Sequence, residues 1–223
     1  LFSGCNQLTL RGATIMFFFQ ELFENPFFFC AQILVVVFSI SVHEFFHAWI
    51  ALREGDPTAA EHGHLTLNPI RQMGIFSLIM LFLCGISWGQ VPVNPRRLRT
   101  RNSMLRVALA GPVANLGLTV IAIIILAVSD RWELLPQEGI AVFFLLGVMN
   151  LVLAGFNLLP VPGLDGWTAF ALLFPRLFLL KQEVRNGVAF ALVLLVFVMM
   201  PTFFNWASYA VGFGATQLRM LLG

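Results

Sequence analysis

Long apolar stretches separated by short polar segments give this sequence its dominant pattern. A helix needs about 20 apolar residues to cross a bilayer, and four stretches approach or exceed that length. The four predicted spans are residues 27–52, 107–128, 139–159 and 188–209. Only 11% of the residues are charged and 59% are hydrophobic, whereas a soluble domain carries about 25% charged residues. The pattern therefore predicts an all-α integral membrane protein with four full transmembrane helices.

The apolar pattern begins only after the first part of the chain. Residues 1–15 show no packing periodicity, and Met16 opens the segment that leads into the first span. We expect residues 1–15 to be a disordered tail, or to precede the true start of the protein. Residues 16–223 are expected to form a single polytopic membrane domain.

A fifth apolar run, residues 70–88, is short for a full crossing. Arg71 lies near its start and a basic cluster from Arg96 to Arg106 follows it. Because basic flanks stay on the cytoplasmic side, this run is predicted to be a short re-entrant or interfacial segment. The loop before it contains the alternating Leu65-Thr66-Leu67, which suggests a short strand in a small β-like region.

Charges at the ends of the spans predict the orientation of the protein. Glu21 and Glu24 precede the first span and Arg53 follows it, so this span is expected to end on the cytoplasmic side. The second span then runs outward and the third returns inward. Residues 168–180 are expected to form a helix along the cytoplasmic interface. We expect a multi-pass membrane protein in contact with the lipid bilayer.

The first span carries polar residues that are costly in lipid. His43 and His47 are four residues apart, which places both imidazoles on one face of a helix, one turn apart. Two histidines need this spacing to bind one metal ion, and Glu44 can act on a nearby water without binding the metal. The pattern His-Glu-x-x-His on a helix is typical of zinc metalloproteases. Because ionisable groups inside a span are candidates for function, we expect an active site within the membrane, toward its cytoplasmic side.

Two histidines need a third partner, because catalytic zinc takes three protein ligands and leaves one position for water. The chain has three aspartates, at Asp56, Asp130 and Asp165, and only Asp165 follows a proline- and glycine-rich break at the end of a span. Irregular backbone at membrane depth is tolerated where it packs in protein or lines a cavity. Asp-Gly is also a common turn pair, so a plain turn is the alternative. His62 and His64 are rival ligands, but in a polar loop we expect them to be solvated.

Other functional classes find no support in the sequence. Cys5, Cys30 and Cys84 form neither a disulfide framework nor a Cys-x-x-Cys zinc pattern. No Gly-rich phosphate loop and no nucleic-acid signature is present, so no nucleic-acid partner is expected. The arginine cluster is interpreted as a topology signal.

Several separate elements together resemble the site-2 proteases, a family of intramembrane zinc metalloproteases. The resemblance is carried by His43, Glu44 and His47, by Gly111-Pro112-Val113-Ala114-Asn115, and by Asn157, Pro160, Pro162, Asp165 and Gly166. Residues 55–59, 65–69 and 92–96 look like the compact bacterial and archaeal branch of the family, which lacks PDZ and CBS domains. Trp167 departs from the small residue that usually follows Asp-Gly, and its indole is bulky enough to narrow the substrate approach.

The resemblance implies one Zn²⁺ per chain, held by His43, His47 and Asp165, with Glu44 as the catalytic base. It implies a zinc metalloendopeptidase that hydrolyses peptide bonds in or near transmembrane segments of membrane-anchored proteins. Regulated intramembrane proteolysis of a signalling precursor, or clearance of peptide remnants, would be its role. The alternative is a non-hydrolytic membrane metal-handling protein. Such a protein needs ligands but no base, so Glu44 distinguishes the two hypotheses.

Two asparagines are further candidates for the site. Asn115 and Asn157 could hold the substrate strand or stabilise the oxyanion that forms during hydrolysis. The alternative for both is hydrogen bonding between helices, because an amide in lipid needs partners.

Overall fold

Helices account for the regular structure of this protein. The computed structural model describes residues 21–175 and 181–222, and over those residues the chain forms nine α-helices and no strand. They are α1 Glu21–Glu24, α2 Pro26–Arg53, α3 Thr58–Glu61, α4 Pro69–Gln72, α5 Gly74–Cys84, α6 Arg101–Trp132, α7 Gln137–Asn157, α8 Asp165–Leu173 and α9 Gln182–Leu221. The prediction made for residues 1–15 lies outside the described residues.

Four helices, α2, α6, α7 and α9, are long and apolar enough to cross a membrane. They coincide with the four predicted spans, so the prediction of an all-α multi-pass membrane protein is confirmed. Helix α9 exceeds its prediction, since it has 40 residues and contains Pro201. Its length of about 60 Å is twice the thickness of a bilayer core.

Helices α2, α6 and α7 form the core that carries the site. Ala31 and Val35 of α2 pack with Ala122 of α6 and with Leu145 and Met149 of α7. Ala122 is fully buried, and so small a side chain lets the helices approach closely. A second cluster joins α6 and α7 to the C-terminal half of α9. The first three spans are therefore fixed against one another over much of their length.

The fifth apolar run forms helix α5, which has 11 residues. Eleven residues extend about 16 Å, too little to cross a bilayer. The helix stops at Gly85, whose φ of 71° is the left-handed conformation that glycine adopts most easily. Residues 86–94 then continue without helix or strand, which matches the predicted short segment.

The predicted strand at Leu65-Thr66-Leu67 is wrong. Leu65 and Thr66 form bends, Leu67 belongs to no helix or strand, and a side-chain amide binds the carbonyls of this loop. Gln72, only 1% exposed, donates from Nε2 to the carbonyls of His64 and Thr66. Because these two carbonyls already accept hydrogen bonds from Gln72, they do not pair with the N–H groups of a second strand.

The predicted interfacial helix, residues 168–180, is shorter and starts earlier than expected. Helix α8 begins at Asp165 and ends at Leu173, two residues before Pro175. A helix ends readily at this point because the residue before a proline avoids the helical conformation. Residues 176–180 lie outside the described part of the chain.

Candidate metal centre and active site

Three side chains predicted to hold a metal meet in the folded protein. His43 and His47 lie one turn apart on α2, are 6% and 7% exposed, and have their Nε2 atoms 2.9 Å from each other. Asp165, the first residue of α8, places Oδ2 at 3.0 Å from Nε2 of His43 and at 3.2 Å from Nε2 of His47. Residues 122 positions apart in sequence thus present one ligand atom each to a common point.

The chain after α7 is shaped so that Asp165 can reach the histidines. The segment between α7 and α8 folds back until Gly166 rests on the backbone of Leu158 and Leu159. A Cβ on Gly166 would lie under 3.0 Å from the Leu158 carbonyl, so no other residue fits without a shift of backbone. The Asp-Gly pair therefore serves close packing of the chain as well as turning it.

Both imidazoles are held from behind through their other ring nitrogen. Nδ1–H of His47 donates to the backbone carbonyl of Val107 at 2.7 Å, and Nδ1–H of His43 donates to Oδ1 of Asn115 at 2.5 Å. Both partner oxygens can only accept, so the proton of each neutral ring lies on Nδ1. Each Nε2 then carries a lone pair, which is the form that binds a metal.

The arrangement of these atoms fits a metal ion. Two Nε2 lone pairs and a carboxylate oxygen face one another, and none of the three brings a proton into the space between them. Such a cluster repels itself unless a cation lies at its centre. Tetrahedral zinc with bonds of about 2.0–2.1 Å would separate its ligand atoms by about 3.3 Å, close to the 2.9–3.2 Å found. Two imidazoles and one carboxylate are also a ligand set of catalytic zinc.

A glycine leaves room for that ion. Gly111 on α6 faces the two imidazoles, and a Cβ built on it would lie under 3.0 Å from Nε2 of both His43 and His47. Such a Cβ would occupy the point that the two nitrogen lone pairs share. The missing side chain of Gly111 therefore opens the space in which a metal can be bound.

Glu44 lines the same cavity but is not one of the clustered ligands. It is 8% exposed and lies on a cavity of about 410 Å³ together with His43, His47 and Asp165. The backbone of Gly89 covers its carboxylate so closely that a Cβ there would overlap the side chain of Glu44. The carboxylate is thus placed beside the metal-binding point, with protein on one side and the cavity on the other.

The segment 86–94, which covers Glu44, is held by hydrogen bonds at Trp88, Gln90 and Asn94. The hydroxyl of Ser77 donates to the carbonyl of Trp88 at 2.7 Å and accepts from its N–H at 2.9 Å. The Gln90 N–H donates to the carbonyl of Gln72 at 3.1 Å. Beyond it, the Asn94 N–H donates to Oδ2 of Asp56 at 2.6 Å.

Asp56 is wholly buried and is saturated with hydrogen bonds. Burial by itself raises the pKa of Asp56, but hydrogen bonds from the Thr58 hydroxyl and from the N–H groups of Asn94 and Thr58 outweigh it and hold the pKa below its usual value. The carboxylate is therefore charged at neutral pH and joins the end of α2 to segment 86–94.

A second carboxylate joins the end of α2 to the start of α6. The Ser103 hydroxyl donates to Glu54 at 2.6 Å, and the Arg106 guanidinium donates to it at 2.7 Å. These hydrogen bonds, that from Ser103 first, hold the pKa of Glu54 below its usual value. Since α6 carries Gly111, this contact helps to set its distance from the histidines of α2.

The other candidate ligands lie elsewhere. The imidazole of His62 is exposed and donates from Nδ1 to the carbonyl of Thr58 at 2.8 Å, and neither His62 nor His64 belongs to the metal-ligand group found among the described residues. Asn157 lines the cavity and donates from Nδ2 to the Leu153 carbonyl at 3.0 Å. Thr168 lines the cavity one residue after Trp167, whose indole is not part of that wall.

The roles of several residues of the site were not predicted from the sequence, although Gly111 belongs to a stretch that carries the family resemblance. Gly111 and Gly89 contribute by having no side chain, which leaves room for His43, His47 and Glu44. This role depends on contacts between elements that are far apart in sequence. Asn150 and Ser39 are both fully buried and connect to Asn115. One signal for Asn150 existed, because it is an amide in the middle of an apolar span.

Comparisons with known proteins agree with this geometry. The family model of peptidase family M50 matches residues 31–132, which include both histidines, Glu44 and Gly111. YwhC of Bacillus subtilis is 35% identical over 74% of this chain and 79% of its own length. Rip2 of Mycobacterium tuberculosis H37Rv is 34% identical over 92% of this chain and 82% of its own length. MJ0392 of Methanocaldococcus jannaschii is 25% identical over 88% of this chain and 52% of its own length.

All three relatives carry the words zinc metalloprotease in their names. No solved structure matches the chain. A metal-binding cluster, a neighbouring glutamate and relatives aligned over most of the chain lead to one conclusion: this multi-pass membrane protein belongs to peptidase family M50, the site-2 protease family, and is a zinc metalloprotease.

Proposed function

We propose that this zinc metalloprotease cuts peptide bonds in or near the transmembrane segments of membrane-anchored proteins. The observation that carries the proposal is the position of His43, Glu44 and His47 within α2, a helix long enough to span a membrane. His43 lies ten residues before Arg53, or about 15 Å along the helix. Such a position would let the site meet a substrate segment inside the hydrocarbon region.

The orientation and setting follow the charges of the chain. Arg53, Arg71 and the cluster from Arg96 to Arg106 favour the cytoplasmic side for the end of α2 that is nearer the histidines. We place the protein in the cell membrane of a prokaryote, with its site toward the cytoplasm. Release of a signalling precursor from the membrane, or clearance of peptide remnants, would be the outcome of cleavage.

Each polar residue of the site has a proposed role. His43, His47 and Asp165 would hold the zinc ion, which when bound supplies Lewis acidity that acidifies water and polarises a carbonyl. Glu44 accepts the proton of the attacking water and returns it to the leaving amine. Gly89 and its neighbours exclude bulk water from the side of Glu44 away from the cavity.

The two asparagines are assigned different roles. The amide of Asn115 is engaged by His43 at one end and by Asn150 at the other, so we assign it to holding His43. Asn157 lines the cavity and spends one amide hydrogen on the Leu153 carbonyl, which leaves a second hydrogen for a substrate carbonyl. We propose Asn157 as a contact for the substrate strand or its oxyanion.

Glu44→Gln tests whether the site hydrolyses peptides. Purified variant should retain zinc, because Glu44 is not among the clustered ligands, and should lose cleavage of a model membrane substrate by at least about 100-fold. Glu138→Gln, the same change at an exposed glutamate of α7, is the matched control and should cut normally. Normal cleavage by Glu44→Gln would show that Glu44 is not the catalytic base, whereas zinc binding without any cleavage by the wild type would support the metal-handling alternative.

The position of the cut tests the intramembrane part of the proposal. Mass spectrometry of the products should place the cleaved bond inside the apolar segment, in its cytoplasmic third. Because a helix hides its carbonyls in backbone hydrogen bonds, glycine or proline near the cut should speed cleavage. Products that always end in the soluble loops would show that the enzyme acts outside the membrane.

A further inference from the structure

A row of buried side chains runs from the metal-binding cluster into the centre of the helix bundle. His43, Asn115, Asn150 and Ser39 are hydrogen-bonded in that order and belong to three different helices. Asn115, Asn150 and Ser39 are all 0% exposed. Amides are costly at such a place unless both ends of each one are satisfied, so the order of donors and acceptors is strongly constrained.

The orientation of the row is set at Asn150. Its Nδ2 donates to the carbonyl of Leu146, one turn earlier on α7, at 2.8 Å, and to the hydroxyl of Ser39 at 2.8 Å. A backbone carbonyl only accepts, so the nitrogen end of Asn150 must face Leu146. Oδ1 of Asn150 is thereby turned toward α6.

The orientation of Asn150 determines, through Asn115, which ring nitrogen of His43 carries the proton. Oδ1 of Asn150 accepts from Nδ2 of Asn115 at 2.7 Å, so Oδ1 of Asn115 is the end that faces His43. Only a proton on Nδ1 of His43 can satisfy that oxygen, and Nε2 of the same ring is left unprotonated toward the cluster. Once the Leu146 carbonyl has oriented the amide of Asn150, the donor and the acceptor of each further hydrogen bond in the row are determined.

We propose that Asn150 is a positioning residue of the metal site, which fixes the tautomer of His43 through the amide of Asn115. The inference rests on the proposed ligand role of His43. It assigns a function in metal binding to a residue of α7 that is neither one of the clustered ligands nor part of the cavity lining.

Loss of Asn150 should release Asn115. With no acceptor on α7, its amide can turn so that Nδ2 faces His43, and Nδ1 of that ring then becomes the acceptor. The proton moves to Nε2, where it competes with the metal for the same lone pair. Loss of such outer contacts typically costs 10- to 100-fold in metal affinity, so we expect Asn150→Leu to weaken zinc binding about 10-fold or more.

Two variants separate this role from simple helix packing. Asn150→Asp can be accommodated as a neutral acid, whose carbonyl oxygen still accepts from Asn115, so zinc affinity should stay within a few-fold of wild type. Asn115→Asp presents an acceptor to His43 whichever way it turns, so in that background Asn150→Leu should have little further effect. Thr119→Val is the control, because it removes a buried hydroxyl that donates to the Gly147 carbonyl of α7 and to the backbone carbonyl of Asn115, but that makes no hydrogen bond with the side-chain amides of the row.

The experiment measures zinc affinity of the purified full chain in detergent by competition with a chromophoric chelator. Apoprotein melting curves check that each variant is folded, and the absorption spectrum at saturating Co²⁺ checks that the ligands are unchanged. The expected result is a selective loss in Asn150→Leu, with a normal saturated Co²⁺ spectrum and with Thr119→Val like wild type.

Several outcomes would overturn the inference. Wild-type affinity in folded Asn150→Leu would do so, as would an equal loss in Asn150→Asp, or an equal further loss in the Asn115→Asp background. If Asn115→Asp binds no zinc, the comparison of Asp with Leu at position 150 decides alone. If wild type and all variants bind zinc independently of His43, the proposed ligand set fails instead, which a His43→Ala measurement made in parallel reveals.

Discussion

At the scale of single residues, the space in front of Gly111 controls the metal site. A methyl group at this position would lie under 3.0 Å from Nε2 of His43 and of His47, where the ion would be held. We therefore expect Gly111→Ala to lower bound zinc from one ion per chain toward zero and to abolish cleavage, as measured by elemental analysis and a substrate assay. Gly117→Ala on the same helix is the control, because a Cβ there meets nothing within 4 Å. Full zinc occupancy in Gly111→Ala would show that the ion lies elsewhere.

Asp165 gives the second prediction for a single residue. Asp165→Ala removes the carboxylate oxygen that faces both imidazoles, leaving two protein ligands. Zinc affinity should fall by more than the 10- to 100-fold that follows loss of an outer contact. Competition titration measures this, and zinc binding and turnover that both match wild type would exclude Asp165 as a ligand.

The predictability of these residues from sequence follows from how local their contacts are. His43, Glu44 and His47 are readable because helical geometry alone brings a four-residue spacing to one face. Asp165 required a choice among the three aspartates of the chain and the backbone break before it. The roles of Gly111 and Asn150 depend on how closely α6 and α7 approach α2, and no spacing within one segment encodes that distance.

At the scale of elements, segment 86–94 is held over Glu44 by groups outside the cavity. The attachment through Asp56 is open to test, since Asp56→Asn replaces an acceptor that faces the Asn94 N–H. We expect slower cleavage with unchanged zinc content, and a loss of about 1–3 kcal/mol in the free energy of unfolding. Glu61→Gln is the control, because Glu61 pairs with Arg97 only at the surface, where an ion pair contributes little.

The pKa of Asp56 predicts how this variant responds to acid. Because the folded protein holds the pKa of Asp56 below its usual value, the charge of Asp56 stabilises the fold above about pH 4, and this contribution disappears as the pH falls through the folded pKa. Wild type should therefore lose more stability than Asp56→Asn when both are acidified below about pH 4. Parallel acid-induced loss in the two proteins would mean that folding does not lower the pKa of Asp56.

The elements differ in how well their sequences predicted them. The spans α2, α6 and α7 have bounds close to the predicted ones, because a bilayer imposes length and apolarity on each helix separately. The predicted strand at Leu65–Leu67 does not form, because the side chain of Gln72 binds the backbone carbonyls of this loop. The alternation of apolar and polar residues cannot reveal such a contact. The extra length of α9, which has 40 residues, also escaped prediction, because the apolar pattern indicates only a stretch long enough to cross a bilayer.

At the scale of the whole molecule, most of the packing between the long helices does not involve the proposed metal ligands. The buried clusters of α2, α6, α7 and α9 contain apolar side chains alone, and the row from Ser39 to Asn115 is complete without an ion. Removal of zinc by a chelator should therefore leave the helical circular dichroism unchanged. The melting temperature should drop only by the share that ligand binding contributes.

Restoration of zinc completes that prediction. The apoprotein should regain full cleavage within the time of mixing, because the imidazoles already present unprotonated Nε2 atoms and no refolding is required. Slow recovery, or a helical signal that falls on chelation, would show instead that the ion organises the fold.

The row of buried amides has a consequence for the order in which the protein folds and binds its metal ion in the cell. If helix packing orients the imidazole of His43, the metal site is complete as soon as the helices have folded together. The metal ion can then bind after folding. The apoprotein would then accumulate in the membrane in a folded but inactive form. Its activation would depend on metal supply at the cavity mouth, without any new synthesis of protein.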